Sequence, residues 1–173
     1  MSLWKLVGFG GVQDTDVVAN TSDAMTRIAT ALERLPPTRA RYLAGFAYLL
    51  GRVAHADQHL SEEETQEMQR LVQDRGTLDA TEVELVVGMA QEQARLFGST
   101  ENFIVARELQ RTTDHEEKLA LIDCLFAVSA ADDHISTIED NEIRLISSEL
   151  RLRHEDFVSV RLRYRDQLGV LKS

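Results

Sequence analysis

Apolar residues recur along most of the chain at spacings of three and four, the mark of a helix face turned toward a core. Leu43, Phe46, Ala47, Leu50 and Val53 form one such stripe, widened by Tyr42 and Leu49. Leu119, Ile122, Leu125 and Phe126, with Leu121 and Val128, form a second. Each is apolar over much of its circumference, which predicts two central helices. No run alternates with the period of two that a half-buried strand requires. Ser/Thr-x-x-Glu pairs at Ser61/Glu64, Thr81/Glu84, Thr113/Glu116 and Ser136/Glu139 fit the capping box and mark helix starts. Pro36 and Pro37 separate a first helix from the next, and Gly76 and Gly98 suit C-terminal stops. The pattern predicts seven or eight helices near 22–35, 38–56, 61–75, 79–97, 99–112, 114–131, 136–150 and 154–169. The expected class is all-α, a single helical bundle over residues 22–173 preceded by a leader over 1–21. Leu3, Trp4, Leu6 and Phe9 of the leader are expected to dock on the bundle, the alternative being a weak adhesive patch.

The polar positions repeat as well. A shift of 75 residues lays Asp57 on Asp132, His59 on His134, Leu60 on Ile135, Ser61 on Ser136, Glu64 on Glu139 and Glu67 on Glu142. Apolar positions follow: Val53 falls on Val128, Met68 on Ile143 and Leu71 on Ile146. One deletion later, Leu78, Val83 and Val86 meet Leu152, Phe157 and Val160. The unit is therefore about three helices present twice, over 38–97 and 113–170, with an internal pseudo-twofold expected between the copies.

Charge sharpens this picture. The chain has 173 residues, 29 acids, 19 Lys and Arg and a net charge of -10. Residues 57–67 and 132–142 hold five acids each and no Lys or Arg, so these two segments carry the whole imbalance. An acidic surface repels nucleic acid and anionic lipid, and leaves divalent cations and proteins as the expected partners. A single cysteine, Cys124, excludes an intrachain disulfide framework, and no window reaches the roughly 18 apolar residues of a membrane span. The expected location is cytoplasmic.

Capping accounts for Ser61 with Glu64 and for Ser136 with Glu139. It does not account for Asp57 and Asp132, which fall at the C-terminal end of the preceding central helices, where the helix dipole disfavours an anion. Either an Asx turn or a bound divalent cation would compensate. A cation site would draw on Asp57 and Glu64 in the first turn, and on Asp132, Asp133, Glu139 and Asp140 in the second. Calcium, magnesium, manganese and zinc are the candidates, the last two favoured if His59 or His134 contributes a nitrogen. Neither turn is an EF-hand: counted from the first Asp, position six is Glu62 or Thr137 instead of Gly, and position twelve is Met68 or Ile143 instead of Glu. His55 and His59 stand four apart, but Ala56 follows His55 where a zinc hydrolase would carry Glu. Cys124 lies within an apolar stripe and reads as a small buried hydrophobe. No Gly-rich phosphate loop or nucleophile elbow is present, so no organic cofactor and no enzymatic activity are expected. The basic excess near the C-terminus reads as a solvated face with intrahelical pairs such as Arg151 to Glu155.

The segments AHADQHLSEEE and SAADDHISTIEDNEIRLISSELRLRHEDF resemble the duplicated A-D-G-x-[IVL]-x-x-x-E signature of the TerB family of tellurite resistance, over about residues 40 to 170. The second segment is the closer, and is similar to a widespread branch of TerB-like proteins. Related helical domains also stand beside J-domains in membrane-anchored co-chaperones. The resemblance implies an all-helical fold with an internal pseudo-twofold. It also implies a divalent-cation-binding interaction module of metal or membrane stress, with Asp57, Glu64, Asp132 and Glu139 at its acidic surface. Gln58 and Asp133 stand where the signature has glycine. A metal-free, co-chaperone-like interaction scaffold is the alternative, and a metal-dependent hydrolase using His55, His59 and Asp57 a third reading.

Overall fold

The computed structural model describes residues 27–28, 30–54, 62–96 and 102–171. Within them lie seven bounded α-helices: α1 (Pro37–Ala54), α2 (Glu62–Arg75), α3 (Ala80–Leu96), α4 (Asn102–Thr112), α5 (His115–Ser129), α6 (Thr137–Glu149) and α7 (His154–Arg161). Further helical residues at 27–28 and 30–33 precede them. The protein is all-α, and among the described residues the only β-type pairing is an isolated parallel bridge between Ile135 and Leu168. The leader, Asp57, His55 and His59 lie outside the described residues.

The two apolar stripes form the centre. Twelve of the eighteen residues of α1 are buried, and Leu43, Phe46, Leu49 and Leu50 have at most 1% of their surface exposed. Leu121, Ile122, Leu125 and Phe126 of α5 are equally buried. α1 packs against α3, α4, α5 and α6, while α5 packs against α2, α6 and α7, so every bounded helix touches one of the two. Each of these large side chains contributes about 1.5–3 kcal/mol by leaving water, which makes the pair the main source of cohesion. α1 also approaches α4 closely: a Cβ at Gly45 would lie 2.5 Å from Cγ of Leu109, so only glycine fits there without displacing that side chain.

Helix starts largely follow the expected register. α2 and α6 begin 75 residues apart, and α3 and α7 begin 74 apart, as one deletion requires. The third helices nevertheless differ, 17 residues in α3 against 8 in α7. Instead of continuing to 169, the chain after Arg161 tightens into a 3₁₀ turn over Leu162–Tyr164. It then crosses to Ile135, whose N–H donates to the Gln167 carbonyl (2.8 Å) and whose carbonyl accepts from Gly169 N–H (2.9 Å). That departure lets Tyr164 and Leu168 plug the core beside Phe157 and Val160, with Tyr164 stacked on Phe126 at 5.5 Å between ring centroids.

Two caps also move. Asp79 and Asp114 are the capping residues of α3 and α5, each exchanging hydrogen bonds with the glutamate three positions on, Glu82 or Glu117. Both threonine boxes competed with an aspartate box one or two residues away, and aspartate is at least as good an acceptor. Thr113 turns inward instead and donates to the Leu109 carbonyl. Glu82 is further gripped by Arg39 of α1, with contacts of 2.5 and 2.6 Å, and that guanidinium holds its carboxyl below the usual range. Ahead of α7, Arg151 sits in a left-handed turn (φ 58°), and it is Arg153 that pairs with Glu155 and Asp156.

Candidate functional site

The second acidic turn is fully described, and its shape follows from its sequence. α5 runs out at Ser129, and the chain reverses through Ala130 to Asp133, with Asp133 N–H donating to the Ala130 carbonyl at 2.9 Å. Asp132 makes an Asx turn, its Oδ1 accepting from His134 N–H at 3.1 Å. This is one of the two compensations expected for an acid at the end of α5. Asp133 has φ 62°, a left-handed backbone that Asp and Asn tolerate better than most L-residues. The glycine of the TerB signature falls at this position, and glycine is the residue that adopts such a backbone most readily. Ile135 is fully buried, and Ser136 opens α6 through the expected capping box. The crossing C-terminal segment braces the turn from below. A Cβ at Gly169 would come within 2.7 Å of the His134 ring and 3.0 Å of the Ile135 carbonyl.

The four acids of this turn are held differently. Asp132 and Asp133 are exposed at the tip. Glu139 Oε2 is committed to the cap, accepting from Ser136 N–H (2.8 Å) and its hydroxyl (2.7 Å). Asp140 faces Arg161 of α7 in a two-pronged pair of 2.7 and 2.6 Å, a contact that raises the guanidinium pKa. Glu139 and Asp140 would each have to give up a partner to reach an ion with Asp132. Among the described residues no three His, Cys, Asp or Glu side chains are gathered closely enough to hold a metal ion. In the first turn, Asp57 lies outside the described residues. Glu64 falls in the first turn of α2, and the position of its side chain is outside them too.

Two charged residues that the apolar stripes conceal organise the bundle instead. Arg52 of α1, with 6% of its side chain exposed, reaches Glu142 (Nε 2.7 Å) and Glu149 (Nη1 2.7 Å) of α6. Burial opposes its charge, but the bonds to both carboxylates outweigh that and its pKa is raised. Asp123 of α5 accepts from Tyr164 Oη (3.0 Å) and Arg163 (3.2 Å), and lies 3.4 Å from Arg75 of α2. A lone charge inside an apolar stripe was the available signal, although its partners, 40 or more residues away, were not readable. Cys124 is buried and its thiol is pushed up to about 12 by desolvation, so it is not ionised near neutral pH.

The family model described as tellurite resistance protein TerB matches residues 43–162. That span takes in α1 from Leu43 onward, all of α5 and both acidic segments, over two thirds of the chain, and the chain belongs to the TerB family. No curated protein and no solved structure matches it. No helix among the described residues is long and apolar enough to cross a membrane.

Proposed function

We propose that this TerB-family chain is a cytoplasmic, non-enzymatic interaction module of metal or membrane stress, whose contact surface is the exposed second acidic turn. The observation that supports this best is the division of labour among its acids. Glu139 and Asp140 are held by the cap and by Arg161 and Asp132 by its own Asx turn, while Asp132 and Asp133 are exposed at the tip of a turn that the C-terminal segment braces. A rigid turn bearing exposed carboxylates suits a basic segment of a protein partner, because little ordering entropy is lost on binding. The buried thiol at position 124 offers no nucleophile near neutral pH.

Divalent-cation binding is the second reading, favoured by the exposed Asp132 carboxylate beside the left-handed backbone of Asp133. Calcium, magnesium, manganese or zinc would then draw on Asp132, Asp133, Glu139 and Asp140, with Asp57 and Glu64 forming a first, weaker site. Calorimetric titration with each chloride, against sodium at matched ionic strength, separates the readings. The scaffold predicts no divalent heat beyond the sodium control. A saturable heat that disappears in an Asp132→Asn, Glu139→Gln variant would establish the metal module. An ion at a hundred times its dissociation constant would then stabilise the fold by about 2.7 kcal/mol.

A further inference from the structure

The segment after α7 has the sequence pattern of a helix and the path of a strap. Phe157, Val160, Tyr164 and Leu168 keep the spacing of one helical face, and no proline or glycine interrupts residues 154–168. The backbone has not left the helical region either: Arg161 (φ -54°, ψ -37°) and Arg165 (φ -52°, ψ -36°) are both right-handed. What changes is the hydrogen bonding. The N–H groups of Arg165, Gln167, Leu168 and Leu171 each donate to the carbonyl three residues back, at 3.4, 3.0, 3.3 and 3.1 Å. A 3₁₀ stretch inside a helical pattern marks a hinge or a sequence under strain. In the first unit the matching positions, 88–94, lie within the continuous helix α3.

The tighter winding supplies length. A 3₁₀ turn rises about 2.0 Å per residue against about 1.5 Å in an α-helix, so residues 162–168 gain about 3 Å of reach. That reach brings Gln167 and Gly169 to Ile135, whose N–H and carbonyl have these two residues as backbone partners. Wound back into α7, the strap would withdraw from both groups. Ile135 is fully buried, and buried backbone groups do not stay unpaired, so the acidic turn would have to move as well. The Arg161–Asp140 pair of 2.7 and 2.6 Å holds the last turn of α7 on α6, which puts the hinge just beyond it. We propose that residues 162–169 are a two-position latch: strapped across Ile135 they fix the acidic turn, and added to α7 they release it. As control of the contact surface this rests on the function proposed above; as a conformational change it is tested with no partner present. Whatever seats on the braced turn favours the strap, and release of the strap weakens that contact by the same factor.

Amide exchange and backbone chemical shifts of the full chain, measured by NMR, read both positions of the latch. In the parent, the Ile135 amide should exchange through a local opening, faster than core amides of α5 such as that of Leu125. Gly169→Ala favours the helix and disfavours the strap, because its Cβ would meet the His134 ring at 2.7 Å and the Ile135 carbonyl at 3.0 Å. Ile135 exchange should then rise at least roughly fivefold, the shifts of residues 162–168 should move toward α-helix, and Leu125 should stay protected. Asp166→Ala changes an exposed residue whose ion pair is with its neighbour Arg165, so it leaves the fold intact. Through helix propensity alone it should speed Ile135 exchange about threefold, which a passive brace would not show. Three results would each overturn the latch. One is an Ile135 amide that exchanges only when Leu125 does, and another is exchange unchanged by Asp166→Ala. The third is a Gly169→Ala chain in which residues 162–168 lose ordered shifts instead of gaining helical ones. Should Gly169→Ala not fold, Asp166→Ala decides alone.

Discussion

α2 and α6 occupy the same place in the 75-residue register and carry the same acids, yet they use them in opposite ways. Glu67 and Asp74 of α2 correspond to Glu142 and Glu149 of α6. On α2 the cation between them is local: Arg70 reaches Glu67 at 2.5 Å and Asp74 at 3.4 Å, with all three side chains at least 40% exposed. On α6 the corresponding position is Leu145, and the cation is Arg52, brought from α1 with only 6% of its side chain exposed. The central helices show the same exchange. Position 52 is Arg in α1 against Ala127 in α5, and Asp123 in α5 stands against Tyr48 in α1. Each buried charge reaches across: Arg52 from the first unit to α6, and Asp123 from the second to Arg75 of α2. Complementary charges at these positions tie α1 to α6 and α5 to α2, which identical residues at the two register positions could not do.

The largest expected effect comes from Arg52. Arg52→Ala would leave the partly buried Glu142 and Glu149 carboxylates without the cation they share, at a cost of about 3 kcal/mol in urea unfolding. The comparison sharpens if all three charges go together. Arg52→Met with Glu142→Gln and Glu149→Gln should recover to within about 1 kcal/mol of the parent, because nothing buried is then left uncompensated. A triple variant as unstable as Arg52→Ala would show that packing of the arginine stem, and not charge pairing, joins α1 to α6.

Asp123 comes next. Asp123→Ala removes the acceptor shared by Tyr164, Arg163 and Arg75, but the arginine side chains are 48% and 63% exposed and can turn to water. Tyr164 also keeps the main-chain carbonyl of residue 123 at 3.1 Å. The cost should be about 2 kcal/mol, less than for Arg52→Ala, measured by the same urea series.

The sequence disclosed the helices and central stripes because burial acts on every residue of a periodic face, and each repeats the message. It disclosed the Ser136/Glu139 cap because that pair is three residues apart and needs no tertiary context. Where two local pairs competed, as with Asp79 and Thr81 or Asp114 and Thr113, local rules tied and the geometry chose the aspartates. The end of α7 was out of reach for a different reason. Phe157, Val160, Tyr164 and Leu168 have helical spacing and all are buried, but the last two reach the core from a 3₁₀ turn and the crossing segment beyond it. At the acidic turn, Asp132 was legible as an acid needing compensation. That Arg161 engages Asp140 was not, since a pair 21 residues apart depends on how α6 meets α7.

The smallest effect should come from Arg70, and it tests the comparison most directly because Arg70 and Leu145 share a register position. Two opposing terms set its value on α2. The charge-assisted contacts to Glu67 and Asp74 favour the arginine, and that contact lowers the Glu67 pKa. Holding three long exposed side chains in one geometry loses rotamer entropy, and water and salt screen what attraction is left. With side chains 60%, 40% and 57% exposed, these terms nearly cancel. Arg70→Ala should therefore shift the melting midpoint by no more than about 1 °C at 0.15 M salt, in a chain where Arg52→Ala shifts it by several degrees. Arg70→Leu, which writes the α6 residue into α2, should behave alike, because no counterpart of Arg52 reaches these acids: position 127 is alanine. If Arg70→Ala approached Arg52→Ala in cost, α2 would have to depend on its surface pair as strongly as α6 depends on its buried one. The distinction between a local and a cross-unit cation would then fail.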